Sequence, residues 1–194
     1  TGENLKTLVE HLPVEMRNLR GVSQNFGHLG LDPLEHSFIA LQVSETSTYF
    51  DELIDMSSGG DVSCAELARC AILYHDLGKK KEPFDPYHAI LSGRMCQFHL
   101  EAMGYDPLEV AVIKRLVETH DLMGGIKKGE ISCAQAYDEL CRGLPKLFSR
   151  EILVKLHCEV AGADIGSIPY LHGLKLDSER EELLRLAAAD GAGD

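Results

Sequence analysis

The chain has little positive charge: 19 lysines and arginines stand against 31 aspartates and glutamates, a formal net charge of −12 over 194 residues. A field of that sign repels a polyanion over much of the surface, so general nucleic-acid binding is disfavoured unless a local basic patch overrides it. Long apolar runs are also missing. None approaches the roughly 20 residues needed to cross a bilayer, so no membrane span is expected. The N-terminus carries no basic segment followed by an apolar stretch and a small-residue cleavage site, which makes the cytoplasm the expected location.

The six cysteines (Cys64, Cys70, Cys96, Cys133, Cys141 and Cys158) include no C-x-x-C pair. That argues against a zinc-thiolate site and against a disulfide framework, and leaves reduced, mostly buried small side chains. Strand signals are nearly absent. There is no internal repeat, and low complexity is confined to the last eight residues.

Helix signals, by contrast, are frequent. Asp32-Pro33, Ser63-Cys64-Ala65-Glu66, Asp106-Pro107-Leu108-Glu109 and Asp177-Ser178-Glu179 each offer a capping side chain, most with a proline or carboxylate in the first turn. The spacing predicts helices near 4–20, 33–56, 63–77, 86–103, 107–121, 132–142, 149–165 and 177–189. Ser57-Ser58-Gly59-Gly60-Asp61 and Met123-Gly124-Gly125 read as short turns between them. The expected fold class is all-α, a bundle of about seven or eight helices. It forms one domain over 1–186, followed by a flexible tail at 187–194. A chain of this length buries about two-thirds of its unfolded surface without staples. The first residue is Thr, which suits a processed chain or one domain of a longer one.

Chemistry concentrates where the apolar helix Ile72-Leu73-Tyr74 ends in His75-Asp76-Leu77-Gly78-Lys79. Gly78 suits a helix C-terminus. Burying a carboxylate beside an imidazole costs several kcal/mol unless something neutralises it, and a divalent cation does so if further ligands converge. His120 continues the stripe Ile113, Leu116, Val117, and Asp164 extends Leu153, Leu156, Val160, so both are expected to face inward. His36 shares a face with Ile39, Ala40 and Val43, and His88 opens the helix after the turn.

Read in order, His36, His75-Asp76, His88, His120 and Asp164 resemble the H…HD…H…H…D pattern of the HD superfamily of metal-dependent phosphohydrolases. The resemblance spans about residues 33 to 168 and includes His88-Ala89-Ile90-Leu91-Ser92-Gly93 and Thr119-His120-Asp121. It implies an HD-domain helical bundle with a first metal held by His36, His75, Asp76 and Asp164. It also implies that Asp76 bridges to a second metal held by His88 and His120. The cofactor is then a divalent metal, two ions drawn from Mn, Fe, Ni, Co, Mg or Zn, among which the N/O ligand set does not choose. The implied reaction is phosphoester hydrolysis by metal-activated water on a small phosphorylated, nucleotide-like substrate, with Asp76 and Lys79 as catalytic residues. Lys80, Lys81, Lys127 and Lys128 add to a basic rim. Lys80 and Lys81 read first as a solvated run at a helix end.

The chain departs from parts of the family. The Gly-Tyr-Pro element of members that hydrolyse cyclic dinucleotides is replaced by Asp121-Leu122-Met123-Gly124-Gly125. The chain is shorter than triphosphohydrolase members. The stretch from His75 to His120 also resembles the HD domain attached to some tRNA nucleotidyltransferases. Asp121 is left open as a ligand, as a group orienting a ligand or as a solvated residue. Glu35 and Glu118 are read as orienting groups or as surface residues. His157 is read as structural, and His11, His28, His99 and His172 as structural or exposed. Two other functional classes stand beside hydrolysis. One is a di-iron oxygenase of the same superfamily, and the other is a non-catalytic metal- or nucleotide-binding module of a larger protein.

Overall fold

A short polar side chain followed three residues later by Glu or Gln starts four of the helices. Such a residue accepts from the third backbone N–H, while the Glu or Gln reaches back to the cap's own N–H. Asp32 and Glu35, Ser63 and Glu66, Asp106 and Glu109, and Ser132 and Gln135 all form this reciprocal box. In the computed structural model, residues 12–24, 26–79, 85–146, 148–171 and 173–191 are described. They form α1 (Val14–Arg17), α2 (Pro33–Ser44), α3 (Thr48–Ile54), α4 (Cys64–Tyr74) and α5 (His88–Met103). The chain continues through α6 (Pro107–Glu118), α7 (Leu122–Lys127), α8 (Cys133–Cys141), α9 (Arg150–Ser167) and α10 (Asp177–Gly191). Two 3-10 turns, Phe26–His28 and Pro169–Leu171, pack against each other. Among the described residues the fold is all-α, with one isolated bridge between Ser57 and Ser63. No helix among them is long and apolar enough to cross a membrane.

Helix α9 organises the core. Leu153, Leu156 and Val160 lie on its buried face as the periodicity predicts, and Val154, His157, Cys158 and Ala161 bury the others. A helix apolar on most sides needs cover on most sides. Here α2, α3, α4, α6, α7 and α10 all pack on it. Cys64, Cys96 and Cys158 are buried and all six cysteines are free.

Several boundaries differ from the sequence reading. The helix expected over 33–56 is two, because the hydroxyl-rich run at 44–47 turns the backbone aside: Thr46 Oγ1 donates to the Val43 carbonyl, and Ser47 Oγ accepts from Tyr49 N to cap α3. The Ser47 hydroxyl itself donates to Glu159 Oε2 at 2.8 Å, which ties this corner to α9. Of the helix expected over 4–20, only Val14–Arg17 is helical within the described residues, and residues 1–11 lie outside them. Gly124 and Gly125, expected in a turn, belong to α7. Residues 187–191, expected in a flexible tail, continue α10. Ala187 is buried there, and the Tyr137 hydroxyl donates to Asp190 Oδ2 at 3.0 Å. Residues 192–194 lie outside the described residues.

Gly78 follows the C-terminus of α4, as the sequence suggests, and its φ is not positive. A Cβ there would stand 2.5 Å from the His88 carbonyl oxygen and 2.7 Å from Ser92 N. Gly78 therefore lets the first turn of α5 lie directly on the turn after α4, and its N–H donates to Ser92 Oγ at 2.8 Å. This contact brings His88 beside His75 and Asp76. We expect Gly78→Ala to destabilise the protein by about 1–3 kcal/mol, because rigid backbone must move. Gly124→Ala meets nothing within 4 Å and should stabilise by about 0.5–1 kcal/mol. Urea denaturation of the two variants tests the pair, and equal effects would refute the close-approach account.

Candidate metal centre

All six residues expected as ligands meet at the base of one cleft. His36 comes from α2, His75 and Asp76 from the turn ending α4, His88 from the start of α5 and Asp164 from the last turns of α9. His120, expected on a helix, lies in the turn between α6 and α7, because α6 ends at Glu118. His36, His75, Asp76 and His120 are buried, and His88 and Asp164 are partly open to the cleft.

One backbone device orients three of the imidazoles. His75 Nδ1 lies 2.6 Å from the Ile72 carbonyl, His88 Nδ1 2.7 Å from that of Asp85, and His120 Nδ1 2.8 Å from that of Val117. Each uses the carbonyl three residues back. A carbonyl only accepts, so Nδ1 carries the proton and Nε2 presents its lone pair. At His36 a hydroxyl does the same work. Ser167 Oγ donates its hydrogen to the Asp164 carbonyl at 2.7 Å, so it accepts from His36 Nδ1 at 2.9 Å.

The four Nε2 atoms converge on carboxylate oxygens. Asp76 Oδ2 lies 3.3 Å from His75 Nε2 and 3.7 Å from His36 Nε2, while its Oδ1 lies 3.6 Å from His88 Nε2 and 4.0 Å from His120 Nε2. Asp164 Oδ1 lies 2.8 Å from His36 Nε2 and 3.5 Å from His75 Nε2. Asp76 Oδ1 and Nε2 of His75 are buried with no hydrogen-bond partner among the described residues, and Asp76 Oδ2 is met by the Lys79 ammonium. His36 Nε2 is within hydrogen-bond distance of Asp164 Oδ1, and at the remaining contacts lone pairs facing carboxylates repel unless a proton or a cation stands among them. The demand for positive charge is visible at His75: burial opposes its charged form, yet the Asp76 and Asp164 carboxylates outweigh burial and push its pKa up to about 10. Within the cluster, His36, His75 and Asp76, then His75, His120 and Asp164, then Asp76, His88 and His120 each offer ligand atoms within 4.8 Å of one another. These residues fit a bound metal ion in donor type, tautomer and spacing.

Around the ligands the sequence reading holds unevenly. Lys79 lies 2.6 Å from Asp76 Oδ2 and donates to Gln24 Oε1 at 2.6 Å, so it faces the cluster as well as the cleft. Lys80 and Lys81, His11 and His172 lie outside the described residues. Asp121 is exposed on the cleft and joins none of the ligand groups. Glu35 is spent on the α2 capping box. Glu118 pairs with Lys114 at 2.8 Å. Neither orients a ligand. His99 pairs with Glu15 at 3.3 Å, away from the cluster.

His28 was missed. It is buried, stands edge-on to His36 with ring centroids 4.9 Å apart, and lines the cleft. It sits on an irregular 3-10 turn, where no periodicity could have marked it.

His157 is fully buried on α9 with neither ring nitrogen partnered among the described residues. Burial, aided by charge on His120, pushes its pKa down from 6.5 to about 4. The unfolded chain thus takes up this proton near pH 6.5 and the folded chain only near 4. Between those values the unfolded state binds more protons, so stability falls as pH drops. His157→Leu removes that proton uptake and an unpaired buried group. It should leave stability at pH 7 unchanged or higher and make its loss between pH 6.5 and 4 shallower, as read by urea denaturation across that range. A steeper loss would contradict the assignment.

Compared with protein-family models, with curated proteins and with solved structures, the chain finds no match.

Proposed function

We propose that the chain is an HD-superfamily phosphohydrolase that cleaves a phosphoester of a nucleotide or similar small molecule at a two-metal centre. One observation carries this reading: the two oxygens of the buried Asp76 carboxylate are divided between two pairs of Nε2 atoms, His36 with His75 and His88 with His120. A carboxylate so shared suits a bridge between two cations. His36, His75, Asp76 and Asp164 would hold one ion, and Asp76, His88 and His120 the other. Bound divalent ions would lower the pKa of water toward neutrality and polarise the phosphoryl oxygens.

The chain's own residues account for the rest. At His75, His88 and His120 the Nδ1 contacts to backbone carbonyls keep the Nε2 lone pair available. His88 and Asp164 face the cleft, where the phosphate can approach. Lys79, 21% exposed, presents a cation there and can draw a phosphate oxygen while relaxing its contact with Asp76. Burial of the ligand wall keeps bulk water from screening these charges.

Phosphate release from a broad ester panel, after loading with manganese, iron, nickel or cobalt, tests the proposal. Chelation should abolish release and metal should restore it. Asp76→Asn should lose at least about 1,000-fold and bind neither ion fully, whereas Lys79→Ala should lose about 100-fold with metal content unchanged. Metal binding without release from any ester would overturn the reading. Oxygen consumption by the iron-loaded protein would then point to an oxygenase, and inertness to both to a non-catalytic module.

A further inference from the structure

The cluster opens into a cleft of about 550 Å³ lined by both charged and apolar side chains. Lys79, Lys127 and Lys128 line it, with His28 and Asp121. Of these, Lys127 is held by Glu179 at 2.9 Å. The apolar part of the lining starts beside a proposed ligand: Ile165 follows Asp164 directly, and Ile168 lies four residues after Asp164, one helical turn away. The 3-10 turn after α9 extends this part with Leu171, and Leu174 and Tyr170 continue it outward. Leu174 is 40% and Tyr170 76% exposed, so apolar surface at the mouth lies open to solvent.

We propose that the ligand of this cleft is a phosphate monoester of an apolar alcohol, alkyl or aryl, with its organic part lying on Ile165, Ile168, Leu171 and Leu174. The phosphate end rests on the phosphohydrolase reading; the apolar end rests on the wall. A sugar placed there would bring hydroxyls against four side chains that can neither donate nor accept, leaving those groups unpaired. An alkyl or aryl group buries area against the same wall at no such cost. In the reaction, a water oxygen bonds to phosphorus as the bond from phosphorus to the ester oxygen breaks. The electron pair stays on that oxygen, which takes up a proton supplied by the water. The products are the free alcohol and inorganic phosphate. Because an apolar pocket rejects an added hydroxyl only weakly, preference over sugar phosphates is about 100-fold at most.

Alkylphosphonates test the ligand class without turnover, since their carbon–phosphorus bond is not hydrolysed. Calorimetric titration of the manganese-loaded protein with methyl-, butyl- and hexylphosphonate should show affinity rising about threefold or more per buried methylene. Leu174→Ser, at an exposed position, should flatten that rise without lowering thermal stability. Phenyl and butyl phosphate should be hydrolysed with higher kcat/KM than glycerol phosphate, ribose 5-phosphate or adenosine monophosphate. Affinity independent of chain length, or equal or better turnover of the sugar phosphates, overturns this proposal. In the latter case the phosphohydrolase reading stands. A chain-length gradient without turnover of any ester leaves the ligand class standing and defeats hydrolysis.

Discussion

The buried carboxylate of Asp76 and that of Asp164 at the edge of the cleft face the Nε2 atoms of four imidazoles and set the terms for the rest of the molecule. Asp76 is almost wholly enclosed, and Asp164 shares an oxygen between His36 and His75 at 2.8 and 3.5 Å. Leaving such charges uncompensated in a low-dielectric interior costs several kcal/mol per ion. Lys79 neutralises one oxygen of Asp76 from the side, and protonation of His75 can supply a second positive charge. Asp76 Oδ1 still lacks a hydrogen bond among the described residues, and each oxygen faces two Nε2 atoms. A bound metal ion would satisfy the set, and these His and Asp groups could hold one.

The bundle holds that arrangement with backbone rather than with a second ring of acidic side chains. Carbonyls at Ile72, Asp85 and Val117 lie where a helix ends or has not yet begun, and they fix three tautomers. Ser167, in the last turn of α9, fixes the fourth. Gly78 closes the gap between two of these turns. Helix α9 carries Asp164 from the densest part of the core to the cleft, so packing of α2 and α4 on α9 also sets the ligand geometry. Stability and site are therefore the same contacts seen twice.

Most of this was legible in the sequence. The capping boxes at Asp32, Ser63 and Asp106 gave the starts of three helices, because they act through contacts three residues apart. The convergence of the six residues was legible because their order resembles a known pattern and their stripes faced inward. What escaped depended on contacts distant in sequence or on irregular backbone. The break at Ser47 is sealed by Glu159, more than a hundred residues away. His28 reaches the cleft from a 3-10 turn without a period, and Gln24 reaches Lys79 from an irregular segment. Glu118, adjacent in sequence to the site, turns toward Lys114 instead, since one helical turn offers a nearer cation.

The most direct test of the central claim is anomalous X-ray diffraction from crystals of the protein grown with manganese. The account predicts two peaks flanking Asp76, one within bonding distance of His36, His75 and Asp164 and the other of His88 and His120. No peak at Asp76, with the imidazoles and carboxylates paired directly, would contradict it.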